Sequence, residues 1–284
     1  MPSLLDIKRR IASVQSTQKI TRAMKMVAAA KLRRAQEAIV RTRPYALRMR
    51  DLVSGIALRA DRDIHPLLRH GRGAKVGLIV VTSDRGLCGG FNHNIVEAAL
   101  GAVKETFRGR EVALTVVGRK GVDVLRRRDG AIRAAHIDVY DKPAFRAAGE
   151  IMADLVDEYA KGETHELHCV YNEFKSAIAQ KVTVERLLPF EPADDKGVVP
   201  IDYVYEPSVE SVLDGLLAKH MQVQMHRILH ESTASEHGAR MTAMDAATKN
   251  AGDVIDRLRL KYNRARQDAI TKELIEVISG AEAL

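Results

Sequence analysis

The two ends of the chain share a pattern of apolar and polar positions that is typical of long helices. From Ser3 to about Leu58, apolar residues recur at intervals of three and four. They fall at Leu4, Ile7, Ile11 and Val14, at Ile20, Met24, Val27 and Ala28, and at Leu32, Ala35 and Ile39. This spacing predicts one narrow apolar stripe along a helix, as in a coiled-coil seam. Ser3 is the predicted N-cap, and we expect Pro44 to kink or interrupt the helix, because its ring removes a backbone donor.

The C-terminal segment from Ser208 to Leu284 contains no proline and repeats the same spacing. Its apolar positions are Met244, Ala247, Ala251, Val254 and Leu258, followed by Ile270, Leu274, Val277, Ala281 and Leu284. A helix of this length would span about 115 Å, too long to bury its stripe on one compact domain. We therefore predict that the two terminal helices pair as a long antiparallel coiled coil and that the part beyond the pairing contacts another molecule.

Between these helices, apolar runs alternate with helical patterns. The segment Lys75–Thr82 reads KVGLIVVT, a continuous apolar run typical of a buried parallel strand. Further strands are predicted at 112–117, 132–139, 166–172 and 179–188, and helices at 92–107, 121–128 and 145–161. This order predicts an α/β fold with a Rossmann-like domain and a mostly parallel sheet. The predicted domains are residues 1–60, 74–190 and 208–284, with a linker rich in proline and acidic residues at 191–200.

Composition agrees with a helical protein that carries a charged partner surface. Aromatic residues make up only 4% of the chain and tryptophan is absent, which favours helices over a β-sandwich. The net charge is +8, and the first sixty residues hold fourteen Lys or Arg against three acidic residues. The basic helix therefore faces an acidic partner or nucleic acid, or it is a solvated helix face.

Candidate chemical sites are few, and none predicts catalysis, a metal or a cofactor. Cys88 and Cys169 are far apart in the sequence, which indicates neither a disulfide framework nor a metal cluster. The glycine-rich turn SDRGLCGGFN lacks the order of a phosphate-binding motif, and a tight structural turn explains it better. His226 and His230 lie four residues apart, yet without a third ligand packed or solvated histidines are favoured. No apolar run reaches 18 residues, so we expect no direct membrane insertion.

Several segments resemble the gamma subunits of bacterial F-type ATP synthases. They are IKRRIASVQSTQKITRAMKMVAAAKLRRAQ from Ile7, SDRGLCGGFN, DYVYEPS, ESTASEHGARMTAMDAATKNA and YNRARQDAITKELIEVISGAEAL. The resemblance runs in the same order along essentially the whole chain. It implies a central rotating shaft, non-catalytic by itself, that couples proton flow through the membrane c ring to ATP synthesis or hydrolysis at the beta subunits.

The resemblance also implies partners, a location and three sets of contact residues. The partners would be the alpha and beta subunits of a hexamer, the epsilon subunit and the c ring, with no nucleic acid. The location would be the cytoplasmic face of the bacterial inner membrane, as a peripheral protein. Contacts with the beta subunits would involve Met24, Lys25, Lys31, Arg266, Gln267, Thr271 and Glu273. An apolar bearing tip would comprise Leu274, Val277, Ile278 and Leu284, and contacts with the c ring and epsilon would involve Tyr203, Tyr205 and Glu206.

Two other functions follow from single features of the sequence. The basic N-terminal helix is compatible with nucleic-acid binding, although no recognition module or interleaved aromatic residues accompany it. The SDRGLCGG turn is compatible with a nucleotide-dependent enzyme, which the missing phosphate motif disfavours. For the contact residues, the simpler alternatives are that Met24 fills the seam and that the two tyrosines pack on the sheet.

Overall fold

The computed structural model describes residues 3–59, 61–71, 73–128, 132–177, 179–192, 205–206 and 208–282. The helices are α1 (Leu4–Ala57), α2 (Phe91–Gly101), α3 (Arg119–Leu125), α4 (Ala144–Ala160) and α5 (Val209–Glu282). The strands are β1 (Val76–Val81), β2 (Val112–Val117), β3 (Ile132–His136), β4 (Glu166–Phe174) and β5 (Gln180–Leu188). The predicted α/β class is confirmed. Tyr203, Leu284 and most of the predicted linker lie outside the described residues.

The chain forms two compact units. The first unit comprises residues 1–28 and 240–284, and the second comprises residues 29–239. Residues 29–57 of α1 and 209–239 of α5 therefore belong to the same unit as the sheet. The predicted domains 1–60, 74–190 and 208–284 follow the boundaries of the secondary-structure elements and not those of the two units. They stay a prediction.

One five-stranded sheet organises the second unit. Its strand order is β3-β2-β1-β4-β5, and all neighbours are parallel except the antiparallel pair β4 and β5. The predicted mostly parallel sheet is thereby confirmed. β3 ends at His136, earlier than predicted, because Asp138 adopts a left-handed conformation (φ 54°) that breaks the extended chain.

The apolar run of β1 is buried on both faces of the sheet. Ile79 and Val81 belong to one core cluster, which also contains buried side chains from α1, α4 and α5. Leu78 and Val80 belong to the opposite cluster, together with buried side chains from α2 and α3. Helices on both faces explain why this strand shows a continuous apolar run instead of alternation.

Two local predictions about α1 have different outcomes. The side chain of Ser3 accepts a hydrogen bond of 3.2 Å from the backbone N–H of Asp6, and the Asp6 carboxylate accepts one of the same length from the Ser3 backbone N–H. This reciprocal pair caps the helix, as predicted. The prediction that Pro44 could interrupt the helix is wrong, since α1 continues through it. Pro44 is exposed, so water can replace the hydrogen bond that its ring removes from the carbonyl of Val40.

Candidate partner-binding surfaces

The first unit is an antiparallel helix pair whose buried positions follow a heptad repeat. On α1, the buried and half-buried positions step by four and three: Ile7, Ile11, Val14, Gln18, Thr21, Lys25 and Ala28. On α5 the corresponding positions are Met244, Thr248, Ala251, Ile255, Leu258, Tyr262, Ala265 and Ala269. The predicted antiparallel pairing is confirmed. Strict steps of four and three keep one face of each helix turned toward the other.

The middle of this seam is polar. The hydroxyl oxygens of Thr21 and Thr248 are 2.8 Å apart, and the Gln18 side-chain amide donates to the Thr248 carbonyl at 3.4 Å. Ile20 and Val27, which the apolar pattern placed in the seam, are each 57% exposed instead. The apolar pattern alone misassigned this stretch, because the heptad runs through polar residues.

At the end of this polar stretch, Lys25 forms an ion pair. Its Nζ lies 2.6 Å from a carboxylate oxygen of Asp245, and Lys249 lies 3.3 Å from the other oxygen. The hydrogen bond from Lys25, followed by the one from Lys249, lowers the pKa of Asp245. The Lys25 side chain remains 42% exposed, so it is accessible while its charge is matched within the chain. Met24 beside it is half-buried.

Residues 31–50 of α1, within the second unit, present an exposed basic face. Lys31 and Arg34 are exposed, and neither has a carboxylate partner among the residues that the structure describes. Arg33 is held by Glu37 one turn later, at 3.2 Å. Unmatched exposed cations on a rigid helix provide an electrostatic surface for an acidic partner.

The end of α5 carries the remaining predicted contacts of the first unit. Arg266, Gln267, Thr271 and Glu273 are all exposed. Leu274, Val277 and Ile278 are 57%, 72% and 51% exposed, and we call these three residues the terminal strip. Exposed apolar side chains grouped on one short helical segment form a candidate contact surface.

The residues predicted to contact the c ring and epsilon are only partly described. Tyr205 is half-buried and packs against the core cluster of the second unit, whereas Glu206 is exposed. The packing of Tyr205 agrees with the simpler alternative of a tyrosine that supports the sheet. Its partial exposure leaves part of its surface accessible to a partner.

Side chains in and next to the glycine-rich turn after β1 hold it in place through hydrogen bonds to backbone N–H groups. The Asn92 side-chain oxygen accepts a 2.9 Å hydrogen bond from the backbone N–H of Ser83. The Asp84 carboxylate accepts hydrogen bonds from the backbone N–H groups of Arg119, at 2.9 Å, and Asp138, at 3.3 Å. The Asp84 carboxylate thus ties this turn to the start of α3 and to the segment after β3. This geometry favours a structural turn.

A charged network that no sequence pattern predicted joins α5 to the sheet. Arg227 binds both carboxylate oxygens of Glu185, at 2.7 and 2.8 Å, and the Tyr171 hydroxyl donates to Glu185 at 2.6 Å. Burial alone would lower the pKa of Arg227, but the adjacent Glu185 outweighs it and the pKa is raised. Glu231 is buried beside Arg227, and burial raises the pKa of its carboxyl. In the sequence, the one indication of this network is the presence of charged residues in the otherwise apolar stretch around Met225 and Ile228.

The histidines of α5 are packed. His226 and His230 bring their Nε2 atoms within 3.0 Å, with ring planes at 83°, and His226 also contacts Phe145 edge-on. Burial lowers the pKa of both, that of His230 to about 4. His220 is buried against Phe190, and burial lowers its pKa to about 4. Ring packing accounts for the pair that resembled a metal motif.

Comparison with known proteins decides the family. The family model described as "ATP synthase" matches residues 3–284. The ATP synthase gamma chain of Anaeromyxobacter sp. is 50% identical over 289 residues, covering all of both chains. Those of Geobacter sp. and Moorella thermoacetica are 48% and 47% identical, again covering this whole chain and 99% and 100% of theirs. The chain belongs to the ATP synthase gamma chain family.

Solved structures related to this gamma chain family come from ATP synthase assemblies. A chain in the central stalk and c-ring structure of the Tetrahymena thermophila mitochondrial ATP synthase is 27% identical, with a TM-score of 0.62 over 80% of this chain and 99% of that chain. A chain of the Euglena gracilis mitochondrial enzyme has a TM-score of 0.70 over 99% of this chain and 94% of that chain, and at 21% identity it supports the fold.

Within the residues described, none of the helices combines the length and apolarity needed to cross a membrane.

Proposed function

We propose that this chain is the central rotating shaft of an F-type ATP synthase, coupling proton flow through a c ring to ATP synthesis or hydrolysis at beta subunits. The observation that carries the proposal is the match of the whole chain to a gamma chain that is 50% identical. The shaft makes no bond to the nucleotide. Because one asymmetric shaft cannot contact several identical subunits in the same way, it holds each catalytic site in a different state and changes that state as it turns.

The contact with the beta subunits is proposed to combine charge and hydrogen bonding. On α1, exposed Lys31 is free to approach acidic side chains of a beta subunit, while Met24 and Lys25 offer their exposed edges. At physiological salt the Debye length is about 8 Å, so these charges act only at close range. On α5, Arg266, Gln267, Thr271 and Glu273 are exposed and provide donors and acceptors for hydrogen bonds that change with angle.

The terminal strip is proposed to turn inside an apolar collar formed by the hexamer, together with Leu284. Leu274, Val277 and Ile278 present apolar surface to solvent in the chain alone, which costs free energy until a partner covers it. Apolar contact has no directional bonds, so rotation does not require a bond to break at each step. This property supports a bearing over a fixed attachment.

A third proposed contact surface comprises Tyr203, Tyr205 and Glu206. They would contact the polar loops of the c ring and the epsilon subunit. Exposed Glu206 and the accessible part of Tyr205 support this role. The proposed location is the cytoplasmic face of a bacterial inner membrane, reached through the c ring and not through a membrane span of this chain.

The proposal is tested by reconstitution. Purified alpha and beta subunits are assembled into a hexamer, and ATP hydrolysis is measured with and without this chain. We expect the chain to raise the rate and the cooperativity between sites, whereas an unrelated coiled-coil protein at equal concentration should do neither. Equal rates and cooperativity with and without the chain would sink the proposal.

A further inference from the structure

A cavity of about 330 Å³ lies in the second unit, between the middle of α1, the start of α4 and α5. Its walls are largely apolar. The rings of Tyr45 and Phe145 line it, and Ala46 and Val223, which are 4% and 2% exposed, lie at its base. Apolar walls that water wets poorly favour a ligand with a hydrocarbon or aromatic body.

The charges that line the cavity have one sign. Arg41, Lys219 and Arg227 line it, and no Asp or Glu does. Arg227 is neutralised by Glu185 through its two hydrogen bonds. Arg41 donates only to the backbone carbonyl of Glu37, and the Lys219 ammonium lies 4.4 Å from the centre of the Phe145 ring. Neither Arg41 nor Lys219 has a carboxylate partner in the part of the chain that the structure describes.

Exposure separates the polar mouth of the cavity from its apolar base. Arg41 and Lys219 are exposed, so they lie at the rim, whereas Ala46 and Val223 are buried. His226 also lines the cavity, and burial lowers its pKa, so near neutral pH it adds an uncharged aromatic edge and no further charge. The cavity is thus amphipathic, with exposed cations and exposed aromatic rings at its rim and buried aliphatic side chains at its base.

We propose that this cavity binds a small amphiphilic organic anion, in which one carboxylate, sulfonate or phosphate group is joined to an aromatic or short aliphatic body. The body covers the apolar base and the anionic group lies between Arg41 and Lys219. A volume of about 330 Å³ is at the lower end of the range for small-molecule sites, which favours a small ligand over a protein segment. The inference does not depend on the proposed rotary function.

The test uses the full chain and the fluorescent probe 8-anilinonaphthalene-1-sulfonate, an aromatic sulfonate. We expect saturable binding at one site per chain. Removing both rim cations with Arg41→Gln and Lys219→Gln should raise the Kd at least tenfold, since both replaced groups carry the charge that attracts the sulfonate.

The matched control is Arg48→Gln with Lys261→Gln. This pair removes the same charge from exposed positions of the same two helices, outside the residues that line the cavity. Its Kd should stay within about twofold of the unmodified chain, because separated surface charges are screened by salt. Circular dichroism of both double variants checks that the fold is unchanged.

A second comparison measures how much the anionic group of the probe contributes to its binding. N-phenyl-1-naphthylamine has the same rings without the sulfonate and should bind at least tenfold more weakly than the probe. Octanoate and octyl phosphate should each displace the probe, and their relative affinities show which head group the rim prefers. Binding that never saturates, equal affinity for the neutral amine, or the same Kd in the rim and control variants would each overturn the proposal.

Discussion

Arg227 connects α5 to the sheet through side chains that are distant in sequence. Its guanidinium binds both oxygens of Glu185, and that carboxylate also accepts a hydrogen bond from Tyr171. Only 22% of the Arg227 side chain and 33% of the Glu185 side chain are exposed, so solvent screens the pair weakly. A buried pair of this kind adds little over an apolar replacement, but removing one member leaves an uncompensated charge.

The substitution Glu185→Gln should therefore destabilise the chain strongly. We expect the free energy of unfolding to fall by about 2–4 kcal/mol, measured by urea unfolding at neutral pH. The control Glu150→Gln removes a surface carboxylate that pairs with Lys142 and Arg146, and it should change stability little. The triple variant Glu185→Leu, Arg227→Met and Glu231→Gln, which also removes the buried carboxylate beside Arg227, should recover most of the loss. No recovery would contradict this account.

Buried His220 should make the chain sensitive to acid. Burial lowers its pKa to about 4 in the folded chain, against an ordinary value near 6.5 when unfolded. Between these values the unfolded chain binds more protons, so stability is fully present above pH 6.5 and is lost as the pH falls toward 4. From pH 7 to pH 5 this residue should remove roughly 2 kcal/mol of stability.

Urea unfolding of His220→Leu at pH 7 and pH 5 checks this expectation. The difference in unfolding free energy between the two pH values should be smaller in the variant than in the unmodified chain. His93→Leu, at a side chain that is 70% exposed, is the control and should leave that difference unchanged. An unaltered pH dependence in His220→Leu would show that another group controls the acid sensitivity.

At the scale of elements, hydrophobic periodicity located both long helices and most of the face that each one buries, but it missed the polar stretch of the seam. Steps of three and four predicted α1 and α5, and the continuous apolar run predicted β1. The heptad of the first unit passes through Gln18, Thr21 and Lys25, so counting apolar residues assigned Ile20 to the seam. Polar seam residues such as Thr21 and Lys25 can be recognised only when their partners on the other helix, Thr248 and Asp245, are known.

The polar middle of the seam should be less stable than an apolar version. Replacing both hydroxyls with Thr21→Val and Thr248→Val keeps the shape of the side chains and removes one buried and one half-buried polar group, so we expect a gain of about 1 kcal/mol. Urea unfolding followed by circular dichroism measures it. Thr17→Val, at an exposed position of α1, is the control and should give no gain. A loss in the double variant would mean that the hydroxyl pair stabilises the seam.

The contact surfaces were predictable to different degrees. The exposed positions of Lys31 and of the terminal strip agree with the predicted contacts, which stay predictions until a partner is present. The Arg227 network could not be predicted, because Glu185 and Tyr171 lie 42 and 56 residues away in the sequence. Only the fold brings such residues together.

At the scale of the whole molecule, the terminal strip should determine how tightly the chain binds a hexamer of alpha and beta subunits. Leu274→Ser with Val277→Ser removes two exposed apolar side chains that the proposed collar would cover. Burial of each contributes about 1.5 kcal/mol, so the Kd should rise at least tenfold in a sedimentation or biosensor assay. Leu87→Ser with Val124→Ser makes the same change at exposed positions outside every proposed contact, and it should have little effect. Equal loss in both pairs would argue against a specific collar.

The side chains near the end of α5 are exposed wherever the structure describes their burial. From Ile270 to Ser279, every side chain whose burial is described is exposed. A helix end with so little burial is only marginally stable in water, since most helical stability in proteins comes from the packing of an apolar face. In the free chain these turns should fray, and their amide hydrogens should exchange within seconds. Enclosure by a partner would slow that exchange, so assembly itself would order the end of α5.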